Sequence, residues 1–197
     1  GNFVLDDLRR LGVDCSSVSF SKTHPTSGTV IINVTGEDRR YLHCVGANAD
    51  FSLADIDCSV LDGSRVLYVG GYMVMPRFGE EDLIQLFRAA KERSVKTVLD
   101  VVTPPGVALS RSQLEAMLAY TDVFLPNDDE AKAMTGLSDP VVQVSFLSGL
   151  NPACDVVITL GSRGAVARRG PEMIQTGAYS VNSIDESGAG DAFAAGY

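Results

Sequence analysis

From residue 66 onward the chain alternates short, wholly apolar runs with amphipathic stretches, and this rhythm constrains the fold more than any other feature. The runs VLYVG (66–70), TVLDVV (97–102), DVFLP (122–126) and VVITLG (156–161) are strand-like. Between them, EEDLIQLFRAAKER puts Leu83, Phe87 and Ala90 on one helical face. Further helices are predicted near 111–119, from NDDEAKAM and over 139–148. Strands apolar on both sides, alternating with such helices, predict an α/β fold: a doubly wound, mainly parallel sheet flanked by helices.

The first 65 residues break this rhythm. FVLDDLRRLG reads as a helix with Val4, Leu8 and Leu11 on one side, an Asp6–Arg10 pair on the wet side and Gly12 as its stop. TVIINV (29–34) and RYLHCV (40–45), joined by TGED, predict a hairpin, a small β lid at about 26–48 beside one domain spanning 1–197.

Charge narrows the function classes. Sixteen basic against 25 acidic side chains give a net charge of −9, and no Lys/Arg cluster occurs, so neither nucleic acid nor an anionic membrane is expected as a partner. The longest apolar stretch, 66–75, is too short to span a bilayer. Only His24 and His43 are present, and Cys15, Cys44, Cys58 and Cys154 show no C-x-x-C spacing. A Cys/His zinc site and a Ser-His-Asp hydrolase are therefore disfavoured. The scattered cysteines predict buried thiols in the cytoplasm. No G-x-G-x-x-G opens a helix after a strand, which disfavours a nicotinamide-dependent oxidoreductase. The chain begins at Gly1 and stops six residues after Asp191, which suggests a piece of a longer protein.

Three stretches could carry chemistry. In IDESGAGDAFAAGY (184–197), Gly188, Ala189 and Gly190 offer unencumbered backbone N–H groups at a helix start, where an anion binds well. Asp191 follows them and suits a base beside a transferred phosphoryl group; a plain helix start with glycines for packing is the other explanation. In VVITLGSRGAV (156–166), a strand runs into a Gly-bearing turn, either a simple β-turn or a nucleotide-binding edge. In LPNDDEAKAMTG (125–136), Asn127 and Glu130 read as a helix cap, or as groups ordering water around Mg²⁺ on nucleotide phosphates, or as both.

Together these stretches resemble the PfkB (ribokinase-like) family of carbohydrate kinases. GAGD at 188–191 is similar to its C-terminal signature, TLGSRGA (159–165) to its nucleotide turn and PNDDEA (126–131) to its N-x-x-E motif. The hairpin ending in VGAN (45–48) resembles its sugar lid. The resemblance implies a ribokinase-like fold and ATP-dependent transfer of the γ-phosphoryl group to a hydroxyl of a small sugar or sugar acid. It implies Asp191 as general base and the N–H groups of Gly188, Ala189 and Gly190 as anion hole. Thr159, Gly161 and Gly164 would border ATP. Asn127 and Glu130 would hold Mg²⁺ through water, and Gly46, Asn48 and Asn2 would lie near the sugar. A homodimer through the lid is a further implication. Alternatives on the same fold are a non-catalytic sugar- or nucleotide-binding regulator and a nucleoside or vitamin kinase.

The likeness is incomplete. Glu186 stands where the family commonly has a small hydroxyl residue, which bears on a monovalent cation. Phe3 replaces a sugar-binding Asn, with Asn2 as a shifted substitute. Asp100 begins a stretch, DVVTPP, that lacks the Asn and Arg of D-x-N-x-R. Arg39 and Arg40, beside the lid turn, read as solvated charges.

Overall fold

The computed structural model describes residues 1–32, 40–104, 106–182 and 185–197. Its main sheet has six strands, in the order β3 (Val66–Tyr72), β4 (Lys96–Val101), β5 (Val123–Phe124), β6 (Asp155–Thr159), β7 (Ala165–Arg169) and β8 (Glu172–Thr176). β3 to β6 are parallel, and β7 and β8 add on antiparallel. The parallel strands lie side by side in chain order. Right-handed crossovers that always step the same way deliver their helices to the same face. That layer holds α2 (Glu80–Glu92), α3 (Arg111–Leu118), α4 (Asp128–Thr135) and α5 (Pro140–Leu150).

Strand alternation sorts the sheet's two faces. Leu99, Val101, Phe124, Val156 and Ile158 point into the helix layer and are buried with Leu83, Leu86, Phe87 and Ala90 of α2 and Leu147 of α5. Leu83, Phe87 and Ala90 thus do what their spacing predicts, and Leu86 joins them. Tyr68, Val98, Val123, Val157 and Ala167 point the other way, into a trough of about 1140 Å³ that α6 (Ala189–Gly196) borders with Phe193, Ala194 and Tyr197. Helices therefore stand on both faces, four on one side and α6 on the other.

β8 has no counterpart in the sequence reading. Its residues are all exposed and only Met173 and Ile174 are apolar, so hydrophobic patterning gives no signal. It exists because Arg169 pairs Glu172 across a two-residue Gly170–Pro171 turn, with Gly170 at φ +54°.

The first helix, α1 (Asn2–Arg10), forms and stops as expected, with Gly12 at φ +82°. Its contact side differs from the predicted one. Leu5 is buried and Leu8 half-buried, whereas Val4 and Leu11 are exposed. The ion pairs fall at i,i+3, Asp6 with Arg9 and Asp7 with Arg10, rather than between Asp6 and Arg10.

The lid is the hairpin of β1 (Gly28–Ile32) and β2 (Arg40–Cys44), with Val30 opposite Leu42 and Thr29 opposite His43. Its turn at 35–38 and Arg39 lie outside the described residues. Both faces of the hairpin are exposed. Cys44 is accordingly exposed and Cys58 half-buried, a correction to the expectation of buried thiols that Cys15 and Cys154 do satisfy. The lid's base is stitched together. The Asp50 carboxylate accepts hydrogen bonds from Ser21 Oγ (2.5 Å) and Thr23 Oγ1 (2.6 Å) and meets His24 Nδ1 at 2.8 Å. Those hydrogen bonds, Ser21's foremost, hold the Asp50 pKa well below the usual carboxylate range. Among the described residues, no helix is long and apolar enough to cross a membrane.

Candidate active site

α6 begins abruptly because the chain ahead of it is bent by local hydrogen bonds. The Asp185 carboxylate accepts from Ser187 N–H (2.9 Å) and Ser187 Oγ (2.7 Å). Gly188 then takes φ +81°, a conformation that costs an L side chain about 1–2 kcal/mol, as the N-cap. Of the three expected donors, Ala189 N–H donates to the Glu186 carbonyl at 3.1 Å, closing the turn. Among the described residues, no backbone carbonyl accepts from Gly188 or Gly190 N–H, the unpaired donors of a helix N-terminus.

Asp191, in that first turn, lines a pocket of about 190 Å³ with Asp100, Asn127, Glu130, Thr159 and Gly190. The carboxyl ends of β4 and β6 build its floor, the place where open α/β sheets bind ligands. Thr159 N–H donates to Pro126 O (3.1 Å), and Asn127 bridges Thr159 in parallel, so the start of α4 is pinned to the end of β6. The Arg163–Asp128 ion pair adds a second tie between the turn after β6 and α4.

Asn127 and Glu130 form a reciprocal cap: Asn127 Oδ1 accepts from Glu130 N–H and Glu130 Oε2 from Asn127 N–H, each at 2.8 Å. The capping explanation therefore holds for these two residues while both also line the pocket. Burial, with the charges of Asp100 and Asp129 added, pushes the Glu130 pKa up to about 7 against the cap's hydrogen bond. Burial also raises Asp100, opposed by a hydrogen bond from Tyr68 and reinforced by the charge of Asp191. Among the described residues no group of three or more His, Cys, Asp or Glu is placed to hold a metal ion directly. The cap occupies the one side-chain oxygen of Asn127 and one of the two of Glu130, so these side chains suit a Mg²⁺ ion only through its water shell.

A raised native pKa at Glu130 has a signed consequence. Its contribution to stability is fully present below about 4.5 and is lost as pH rises through about 7. In metal-free buffer the wild-type melting temperature should fall from pH 5 to pH 8 more than that of Glu130→Gln, which retains the capping acceptor. Parallel thermal profiles would contradict this.

The other predicted residues lie elsewhere. Thr159 reaches the pocket, but Gly161 and Gly164 line neither cavity. Gly161 (φ +57°) and Gly164 (φ +95°) shape the turn between β6 and β7, and a Cβ on Gly164 would overlap the Thr176 carbonyl oxygen. The close approach of β8 requires a glycine there. Asn2, Gly46 and Asn48 also line neither cavity. Gly46, at φ +52°, is needed where the chain crosses itself, because a Cβ there would lie 2.6 Å from Pro25 O and Ser27 N. Tyr68 was not singled out by sequence. Its hydroxyl donates to Asp100 Oδ2 at 2.6 Å, and the available signal was strand alternation, which places both on the same sheet face.

Comparison with known proteins bears on the family and the fold. The family model described as pfkB family carbohydrate kinase matches residues 1–197. A ribokinase of Staphylococcus aureus (strain COL) is 26% identical over 98% of the chain and 62% of its own length. An adenosine kinase of Schizosaccharomyces pombe is 22% identical over all of the chain and 62% of its own length. Among solved structures, adenosine kinase from Sinorhizobium meliloti superposes with a TM-score of 0.81 at 26% identity, covering 100% of this chain and 60% of that one. Ribokinase from Giardia lamblia gives 0.77 at 24% identity over 98% and 60%, a likeness of fold. The chain thus spans about three fifths of the length of these relatives.

Proposed function

The chain belongs to the pfkB family of carbohydrate kinases, and from that membership we propose that the whole protein transfers the γ-phosphoryl group of ATP to a hydroxyl of a small carbohydrate. The observation that carries the proposal is the Asp191 carboxylate at the head of α6, beside the unpaired Gly190 N–H and facing a pocket shared with Glu130 and Thr159. Asp191 accepts the proton of the acceptor alcohol as its oxygen bonds to phosphorus and the bond to the β-phosphate bridging oxygen breaks, releasing ADP. Gly188 and Gly190 N–H groups donate to the moving phosphoryl oxygens. Thr159 borders the phosphates. Glu130 and Asn127 would hold Mg²⁺ through water, and the bound ion would screen the phosphate charge.

The exposed Val30, Ile31 and Leu42 of the lid support pairing with a second copy, and the free thiols suit the cytoplasm. Incubating the full-length protein with Mg·ATP and a panel of neutral sugars, sugar acids and nucleosides should release ADP with at least one acceptor. ATP binding without turnover on any of them would favour a regulator on the same fold.

A further inference from the structure

Arg163, in the turn after β6, forms an ion pair with Asp128, the first residue of α4. Neither backbone depends on that pair for its position. The turn closes on itself, with Arg163 N–H donating to Leu160 O at 3.1 Å and Leu160 N–H to Gly164 O at 2.8 Å. The start of α4 is held by the Asn127–Glu130 cap and by Thr159 N–H on Pro126 O. From the other side the buried Gln143 of α5 donates its Nε2 to Leu137 O at 2.8 Å and to Asp128 O at 3.4 Å. As a tie the ion pair is redundant, and with the arginine side chain 60% exposed it adds little to stability. Its particular contribution is to charge.

The first turn of α4 carries three consecutive acids, Asp128, Asp129 and Glu130. Among the described residues, Arg163 is the one cation ion-paired with any of them. Mg·ATP arrives with a net charge of about −2 even after its metal ion is counted. A bare Asp128 at the edge of its site repels it, and a neutralised one does not.

Resting on the kinase reading, in which the nucleotide lies against the turn after β6, we infer that Arg163 sets nucleotide affinity by cancelling the charge of Asp128. It acts through Asp128 and is a positioning residue, touching neither the moving phosphoryl group nor the acceptor.

The test is calorimetric titration of the full-length protein, without acceptor, with Mg·ADP and with Mg·AMP-PNP, a slowly hydrolysed ATP analogue. Arg163→Gln should weaken binding of the analogue by about five- to tenfold, and of the less charged Mg·ADP by a smaller factor. Asp128→Asn, which leaves the arginine unopposed, should tighten the analogue by about two- to fivefold. The double variant, with both charges gone, should bind within about twofold of wild type. In steady-state assays the KM for Mg·ATP should follow the same order, while kcat and the acceptor KM stay within about threefold.

A purely structural tie predicts another pattern, in which all three variants lose affinity together with melting temperature. A double variant as weak as Arg163→Gln would mean that the guanidinium grips the phosphates itself. Either result, or wild-type affinity in Arg163→Gln, overturns the inference. Binding in the expected order without ADP release on any acceptor refutes the kinase reading alone. ADP release with variants that bind nucleotide as wild type does refutes the charge inference alone, and a wild-type protein that binds neither nucleotide overturns both.

Discussion

Asp191→Asn is expected to lower kcat by about 10²–10⁴ while ATP affinity stays within about threefold. The size follows from the division of labour in phosphoryl transfer. The transition state is loose, so positioning and charge stabilisation supply most of the acceleration and the base removes a proton that becomes acidic late. Asparagine keeps the size and hydrogen-bonding reach of the side chain but accepts no proton. Asp191 stands in the first turn of α6, where an acid also favours the helix dipole, so its replacement costs well under the stability of a domain. A loss of kcat with unchanged ATP binding and only a small shift in melting temperature identifies the base. Turnover near wild type would remove Asp191 from that role.

Gly164→Ala is expected to be the most destabilising of the glycine substitutions near the site, by about 3 kcal/mol or more. Gly164 sits at φ +95°, ψ −131°, a region that side chains avoid. The added methyl would also meet the Thr176 carbonyl oxygen and the backbone of Gly177 at 2.7 Å. Two hydrogen bonds close the turn around it, Leu160 N–H to Gly164 O at 2.8 Å and Gly164 N–H to Gly161 O at 3.0 Å. Neither β6 nor β8 can retreat without opening the β7 ladders. For a domain of this size the melting temperature should drop by about 6–12 °C. Gly161→Ala is the control: its φ is +57° but nothing lies within 4 Å of the added carbon, so the cost should be nearer 1 kcal/mol. Equal effects at the two positions would contradict this account of the turn.

These two positions show what was legible in the chain and what was not. The helix layer could be read from Leu83, Phe87 and Ala90 because burial enforces their spacing, and strands apolar on both faces announced a parallel sheet. α1 went wrong by one residue, since a helix touching the domain through Leu5 and Leu8 leaves Val4 and Leu11 in solvent. The cap at Asn127 and Glu130 was visible because capping is local chemistry between residues three apart. Gly188, Gly190 and Asp191 were visible for a similar reason, as a helix start depends on few neighbours. The engagement of Ala189 N–H by Glu186 O was not, since a bend at one φ angle decides it. Gly164 and Gly46 are each demanded by a close approach of another part of the chain, which a string of letters does not show. Tyr68 and Asp100 lie 32 residues apart, and only the pairing of β3 with β4 brings them together.

The central claim is that Gly188 and Gly190 amides grip the transferred phosphoryl group beside Asp191. Backbone amide NMR of the full-length protein, titrated with Mg·ADP and aluminium fluoride in the presence of a bound acceptor, reads those nitrogens directly. The account predicts large downfield shifts of the Gly188 and Gly190 N–H protons and little change at Ala189, whose donor is already engaged. Tight binding of the mimic with both glycine amides unmoved would contradict it.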